Sequence, residues 1–323
     1  MTVLITAAGA VAEEPRPADA TGTTAWFDPA AHLGRRGWKY LSPATRYLLA
    51  AGNQALGRRH DAPPLTGDRA ERFGVVTGTQ YAIAGVHRRM DDILTTEGVQ
   101  GISPAQVPAF SMNTPASQLA ISTGARAFSV TLTNPVTAGL EAVQFAATAL
   151  RTGRADRVVA AATDQAPAGD GGRDRYDAAA AVVLSGPPAG AGALAEITGG
   201  ISRFVPPDAA DGRDRAALAA SGERIAALAR GAKEVRLVVS APAAAARFGG
   251  AVRDAVARAL AAAGGSVRDP AEAVGEARHC AVSGLLELIA LARRGGTGLV
   301  VSASESGHLT AIALDDPVHP EFH

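Results

Sequence analysis

The chain has 323 residues, 47% of them apolar, with 31 basic and 31 acidic side chains and a formal charge of zero. That balance excludes the basic face on which nucleic-acid binding rests, and no apolar run reaches the roughly 18 residues of a membrane span. Neither nucleic acid nor membrane is therefore expected as a partner, and a single cysteine, Cys280, excludes an internal disulfide framework and fits a reducing, cytoplasmic setting.

Aromatic residues make up only 4% of the chain, while alanine and glycine are abundant. Small side chains of this kind let helices and strands approach closely. Lysine occurs twice, at Lys39 and Lys233, so almost all positive charge is arginine. The N-terminal "TVLITAAG" lacks the basic flank of a signal peptide and reads as a first buried strand.

A polar, Pro/Gly-rich stretch follows to about Gly37. "SPATRYLLAAGNQALGRR" predicts a helix with Ser42 as N-cap and Pro43 at its first position. "RFGVVTGTQ" predicts a buried strand, and "AIAGVHRRMDDILTTEG" a helix stopped by Gly98. "SPAQVPAFSM" is expected to be extended, because Pro104 and Pro108 oppose a helix. "NTPASQLAISTG" predicts a short helix capped by Asn113 and ended by Gly124. "AFSVTLTN" predicts a strand, "AGLEAVQFAATALRTG" a long helix, and "DRVVAAATD" and "AAAAVVLSG" two strands. The remainder repeats the theme. "AEITGGISRF", "EVRLVVSAP", "GLVVSA" and "HLTAIAL" predict strands, and "DRAALAASGERIAALARG", "GGAVRDAVARALAAAGG" and "CAVSGLLELIALARRG" predict helices. Alternating strands and helices define an α/β protein, and the similar alternation in both halves hints at an internal duplication. The Pro/Gly/Ala run "SGPPAGAGA" places the join, giving an N-terminal half over 1–187 and a C-terminal half over 188–323 in one compact unit.

The stretch "TLTNPVTAGLEA", Thr131 to Ala142, has the form of a strand, a sharp turn and a helix start, where many enzymes mount a nucleophile. No cysteine, serine or histidine stands in the turn. No phosphate-cradling loop, HExxH or GxSxG pattern occurs elsewhere. Asp91-Asp92 and Asp315-Asp316 lack further ligands at metal-binding spacing and read as solvated carboxylates. Cys280 and His279, adjacent in sequence, would point about 100° apart on a helix, so Cys280 reads as a buried structural cysteine.

The run from Ser103 to Asp164 resembles the N-terminal half of β-ketoacyl synthases. The resemblance rests on Ser103-Pro104, Pro108, Asn113, Gly124, Gly139 and Gly153 to Asp156, with "GVVTGTQ" upstream and "LVVSASESGHLTAIAL" downstream, where Gly307 keeps one glycine of the family's last hairpin. It implies a thiolase-like α/β fold, two related βαβ halves in αβαβα layers. It also implies where the chemistry should stand, and there the residues differ. Three residues before Gly139, the family's cysteine position falls on Val136. The first histidine position falls near Ala241. The second, in a "KSxxGHxxGAAG" helix, falls on Arg278 or, in another register, Glu276. The chain passes almost directly from Asp164 to Arg173, without the loop that supplies active-site walls in the family. A valine cannot be acylated, and without the histidines the enolate formed in condensation has no stabilising donors.

Within the family, the pattern is similar to a chain-length factor, the non-catalytic partner of a ketosynthase in type II polyketide synthases, here of a reduced, polyene-type system. That likeness implies a heterodimer with a ketosynthase and only indirect dealings with the acyl carrier protein. It implies no cofactor of the chain's own, the phosphopantetheine acting on the partner. It also implies a chain-length tunnel lined by Tyr81, with Gly85 and Arg88 on one helical face, and by Phe110, Met112 and Gln118. Phe128, Val130 and Leu132 would lie on an interface strand, and Val136 would face a cavity at the two-protein seam. Tyr81, Phe110 and Met112 would equally serve as ordinary core residues. Two other functions stay open: a stand-alone pseudo-ketosynthase that binds acyl groups or acyl carrier protein, and an acyltransferase or decarboxylase using Ser302, Ser304 or His308.

Overall fold

The computed structural model describes residues 1–15, 25–167, 175–187, 192–208, 215–229, 232, 234–239, 247–262 and 274–317. Ten strands form one sheet among them. In chain order they are β1 (Leu4–Ala12), β2 (Phe73–Gly78), β3 (Phe128–Leu132), β4 (Arg157–Asp164), β5 (Ala178–Ser185), β6 (Ala195–Phe204), β7 (Glu234–Val239), β8 (Val274–Glu276), β9 (Gly298–Ala303) and β10 (His308–Asp315).

Their spatial order is β3-β2-β4-β5-β1-β6-β10-β9-β7-β8. The second five repeat the first as a mirror list. β2 runs parallel to β3 and β4, β4 antiparallel to β5, and β5 antiparallel to β1. β7 likewise runs parallel to β8 and β9, β9 antiparallel to β10, and β10 antiparallel to β6. The duplication hinted at by the sequence is thus present strand by strand. The two sets meet through β1 and β6, paired at Leu4↔Glu196 and Ile5↔Ala195.

The helices are α1 (Pro29–Leu33), α2 (Pro43–Leu56), α3 (Asp68–Glu71), α4 (Ala84–Thr96), α5 (Thr114–Thr123), α6 (Ala138–Arg151), α7 (Arg215–Leu228), α8 (Arg247–Ala262) and α9 (Ser283–Arg294). α6 and α9 pack between the two strand sets, where Leu140, Val143, Leu285 and Leu288 meet Val158, Val182, Val300 and Ile312. α2 and α5 cover the outer face of the first set, and α7 and α8 that of the second. Strands buried on both faces explain the unbroken apolar runs such as Ala178–Leu184. The result is the αβαβα layering expected.

Ser42 caps α2 as expected, its Oγ accepting from Thr45 N at 3.3 Å. Asn113 precedes α5 but does not cap it with its side chain; its Oδ1 accepts instead from Ser111 Oγ at 2.6 Å. Pro104–Phe110 is a 3-10 helix, not an extended run, with Pro108 inside it. α4 ends at Thr96, two residues before Gly98. The stretch expected to be one helix across Glu276 and Cys280 is instead the short strand β8, a turn, a 3-10 turn over Cys280–Val282, and then α9. Among the described residues no helix is long and apolar enough to cross a membrane.

Candidate functional site

The turn between β3 and α6 is a true elbow. Val136 adopts φ +64°, a left-handed conformation costing about 1–2 kcal/mol for an L-residue and rare for β-branched side chains. Packing holds it there. A Cβ on Gly78 would come within 2.3 Å of Ala138 O, and one on Gly139 within 2.3 Å of Ala281 O, so α6 starts wedged between β2 and the second half. Thr137 N bonds Pro135 O and Ala138 N bonds Asn134 O, closing the turn. Glu141, buried in the first turn of α6, accepts from Asn134 Nδ2 and Thr137 Oγ1, and also from Ser202 and Thr310 of the second half. Burying a valine gains about 1.5–3 kcal/mol, enough to offset the backbone strain.

Val136 does not face open space as the sequence led us to expect. It is 1% exposed and packs against Val238 and Ala277. Its amide is also occupied: Val136 N donates to Gln80 Oε1 at 3.2 Å. Gln80 thus satisfies the backbone donor of the elbow residue from the loop after β2.

Asp164, at the end of β4, fixes this arrangement. Its Oδ1 accepts from Thr79 Oγ1 (2.8 Å), Gln80 N (2.8 Å) and Tyr81 N (2.5 Å), and its Oδ2 from Ala281 N (2.9 Å). One buried carboxylate therefore ties the loop after β2 to the entry of α9. Burial pushes its carboxyl up to about 6, against the opposing pull of its four donors. Sequence reasoning passed over Gln80, Glu141 and Asp164. A polar residue ending an otherwise apolar strand was the available signal for Asp164.

The expected tunnel residues separate into two groups. Tyr81 lies in the loop before α4, not on it, while Gly85 is on its first turn beside Gln165 and Arg88 is exposed further along. Met112 packs against Ala44, Ala82 and Ile83, next to Tyr81 in sequence, and the Phe110 ring lies 5.9 Å from His87 of α4. The fold thus brings the loop after β2, α4 and residues 110–112 together. Gln118 stands apart, lining a cavity of about 220 Å³ with Leu33, Trp38, Leu49 and Ile121.

In the second half, Ala241 lies outside the described residues. Arg278 sits in the turn after β8, exposed, 3.6 Å from the Glu276 carboxylate. His279 turns away from Cys280, its Nε2 paired with Glu13 O at 2.8 Å, and burial holds its pKa below the usual value. Cys280 is fully buried at φ +51°, its Sγ 3.6 Å from Arg175 Nη1. Ser302 is buried against α9, Ser304 bonds Ser306, and the His308 ring packs edge-on to Phe204. Among the described residues neither Ser302 nor Ser304 is hydrogen-bonded to the His308 ring.

β3 is the sheet's first edge, paired on one side with β2. Phe128, Val130 and Leu132 are half-buried and pack inward toward the α6 layer. What β3 leaves open is backbone, flanked by Phe145 of α6 (36% exposed), whose ring meets Phe128 edge-on at 5.8 Å.

A strand–elbow–helix turn set between two duplicated α/β halves is the architecture of a ketosynthase-like protein. The β-ketoacyl synthase N-terminal domain matches residues 12–184, and the chain belongs to that family. No curated protein matches the sequence. Solved structures with the same fold include a type II polyketide synthase acyl-carrier protein in complex with its ketosynthase bound to the hexaketide (TM-score 0.77, 16% identity, covering 98% of this chain and 99% of that one). Others are the ishigamide ketosynthase/chain length factor (0.70, 20%, 97% and 99%) and a β-ketoacyl synthase from Burkholderia phymatum STM815 (0.66, 11%, 98% and 99%).

Proposed function

We propose that the chain is a chain-length-factor subunit, a non-catalytic partner that forms a heterodimer with a ketosynthase of a type II, polyene-type polyketide synthase. The single observation that carries this is the elbow: its strained geometry is retained, its side chain is an unreactive buried valine, and its amide is taken by Gln80. The acyl chain stays on the ketosynthase's cysteine or on the carrier protein.

The duplication also supports the loss of the second histidine. Gly139 and Gly284 are the second residues of α6 and α9, and each is pressed against the counterpart strand, β4 at Ala162 or β9 at Ser302. Three residues before each glycine stand Val136 and Ala281. Neither Ala281 nor Arg278, the position that the resemblance gives, is a histidine.

The ketosynthase docks along the open edge of β3, where Phe145 supplies an apolar flank. The tunnel wall comes from Tyr81, Met112 and Phe110, near that edge, and not from Val136. Each two-carbon unit would bury about 1.6 kcal/mol of apolar surface at ~0.8 per methylene. A blocking side chain imposes about 1–3 kcal/mol of overpacking, so sterics set the length.

Co-expression with the neighbouring ketosynthase, size measurement and product analysis test the reading. Wild type should co-purify as a heterodimer, and Met112→Ala should lengthen the product without abolishing condensation. A chain that purifies as a homodimer beside a fully active ketosynthase would refute it.

A further inference from the structure

At the end of the strands opposite the elbow, β2 begins with Phe73 and β4 with Arg157, which face one another in parallel register. A cavity of about 270 Å³ opens there, lined by Leu65, Asp68, Arg69, Arg72, Asp156 and Arg157. Arg72 is committed, its Nη2 bonding Asp156 Oδ1 at 2.7 Å. Arg69 and Arg157 are not: neither side chain has a hydrogen bond or ion pair among the described residues, Asp68 included. Arg157 is half-buried, its guanidinium 6.0 Å from the Phe73 ring centroid.

Two guanidinium groups share one concavity and repel one another; of its two carboxylates, Asp156 is held by Arg72, and the exposed Asp68 bonds neither Arg69 nor Arg157. Burial disfavours the charged form of Arg157, and the Arg69 charge adds to that. A doubly charged oxyanion relieves both effects, because planar guanidinium forks match phosphate oxygens in pairs. We infer that Arg69 and Arg157 form a binding site for phosphate, free or as the ester of a small metabolite, with Leu65 as its apolar wall and Asp68 at its rim. The site is remote from the elbow and independent of the function proposed above.

The test uses the full chain, alone or with the ketosynthase it purifies with. Inorganic phosphate and a nucleoside diphosphate are titrated by calorimetry and thermal shift at fixed ionic strength, against sodium chloride. Phosphate should raise Tm where chloride does not. Arg69→Gln and Arg157→Met should each weaken binding about tenfold or more, and Arg154→Gln, outside the cavity, should leave it unchanged. Tighter binding of the diphosphate identifies an ester as the ligand, and equal binding identifies the free ion. In phosphate-free buffer Arg157→Met should melt no lower than wild type, because among the described residues no carboxylate or carbonyl pairs with that guanidinium and methionine can still cover the Phe73 ring. No phosphate effect beyond chloride, an effect that survives in both variants, or a clearly lowered Tm of Arg157→Met overturns the site.

Discussion

Asp164 sets two physical effects against each other. A carboxylate that accepts several backbone N–H bonds is usually a stronger acid, yet this one is wholly buried, and burial raises it to about 6 from an unfolded value of 3.8. A raised folded value means that the native state binds the proton more readily than the unfolded chain. Between about pH 6 and 4 stability should therefore rise as pH falls, and be fully gained below the unfolded value. The gap of about two units corresponds to roughly 3 kcal/mol at 1.36 per unit. Asp164→Asn removes the titration while keeping one acceptor oxygen, though its amide would confront Ala281 N–H. Urea melts of both proteins at several pH values between 7.5 and 4 isolate the effect. Wild type should gain on the variant as the solution is acidified. A wild type that instead loses ground on acidification would show that the four donors outweigh burial, and the reasoning about this site would be wrong.

At the elbow, Val136→Cys should stay unmodified by iodoacetamide in the native protein, because its side chain packs against Val238 and Ala277, whereas Gln80→Ala/Val136→Cys, which loses the acceptor of the elbow N–H, should label measurably faster; equal rates would show that this bond does not hold the elbow closed. Gly139→Ala should destabilise by about 3 kcal/mol, the upper end of overpacking, because its Cβ would meet the Ala281 carbonyl; calorimetric unfolding reads this directly. Phe145→Glu, beside the open edge of β3, should abolish co-purification with the ketosynthase while circular dichroism shows the chain alone still folded; co-purification that survives would deny that edge its docking role.

Much of the fold was legible because its strands are continuous runs of alanine and valine punctuated by glycine. "DRVVAAATD" and "AAAAVVLSG" admit few other structures, and the strand–helix alternation of the two halves pointed to their duplication. β8 escaped because three residues, Val274–Glu276, carry no period to recognise, and its neighbours Arg278 and His279 suggested a helix face. The 3-10 helix over Pro104–Phe110 escaped because proline forbids a long α-helix without forbidding one tight turn. The elbow's position was readable from the spacing to Gly139, but the fate of its side chain was not. Whether Val136 looks into space or into Val238 and Ala277 depends on contacts about 100 residues away or more, and the sequence prints none of them. Gln80 and Asp164 were silent for the same reason: their meaning lies in donors brought to them by another half of the molecule.

The wedge that holds α6 between Gly78 and Ala281 fixes the turn whatever chemistry its residue carries. Because the turn's handedness is imposed by its surroundings, it does not depend on which residue occupies it. Chemistry at this point is a detachable property of one side chain. A reactive group could be exchanged for an inert one with little change in stability, leaving the scaffold free to take up other work.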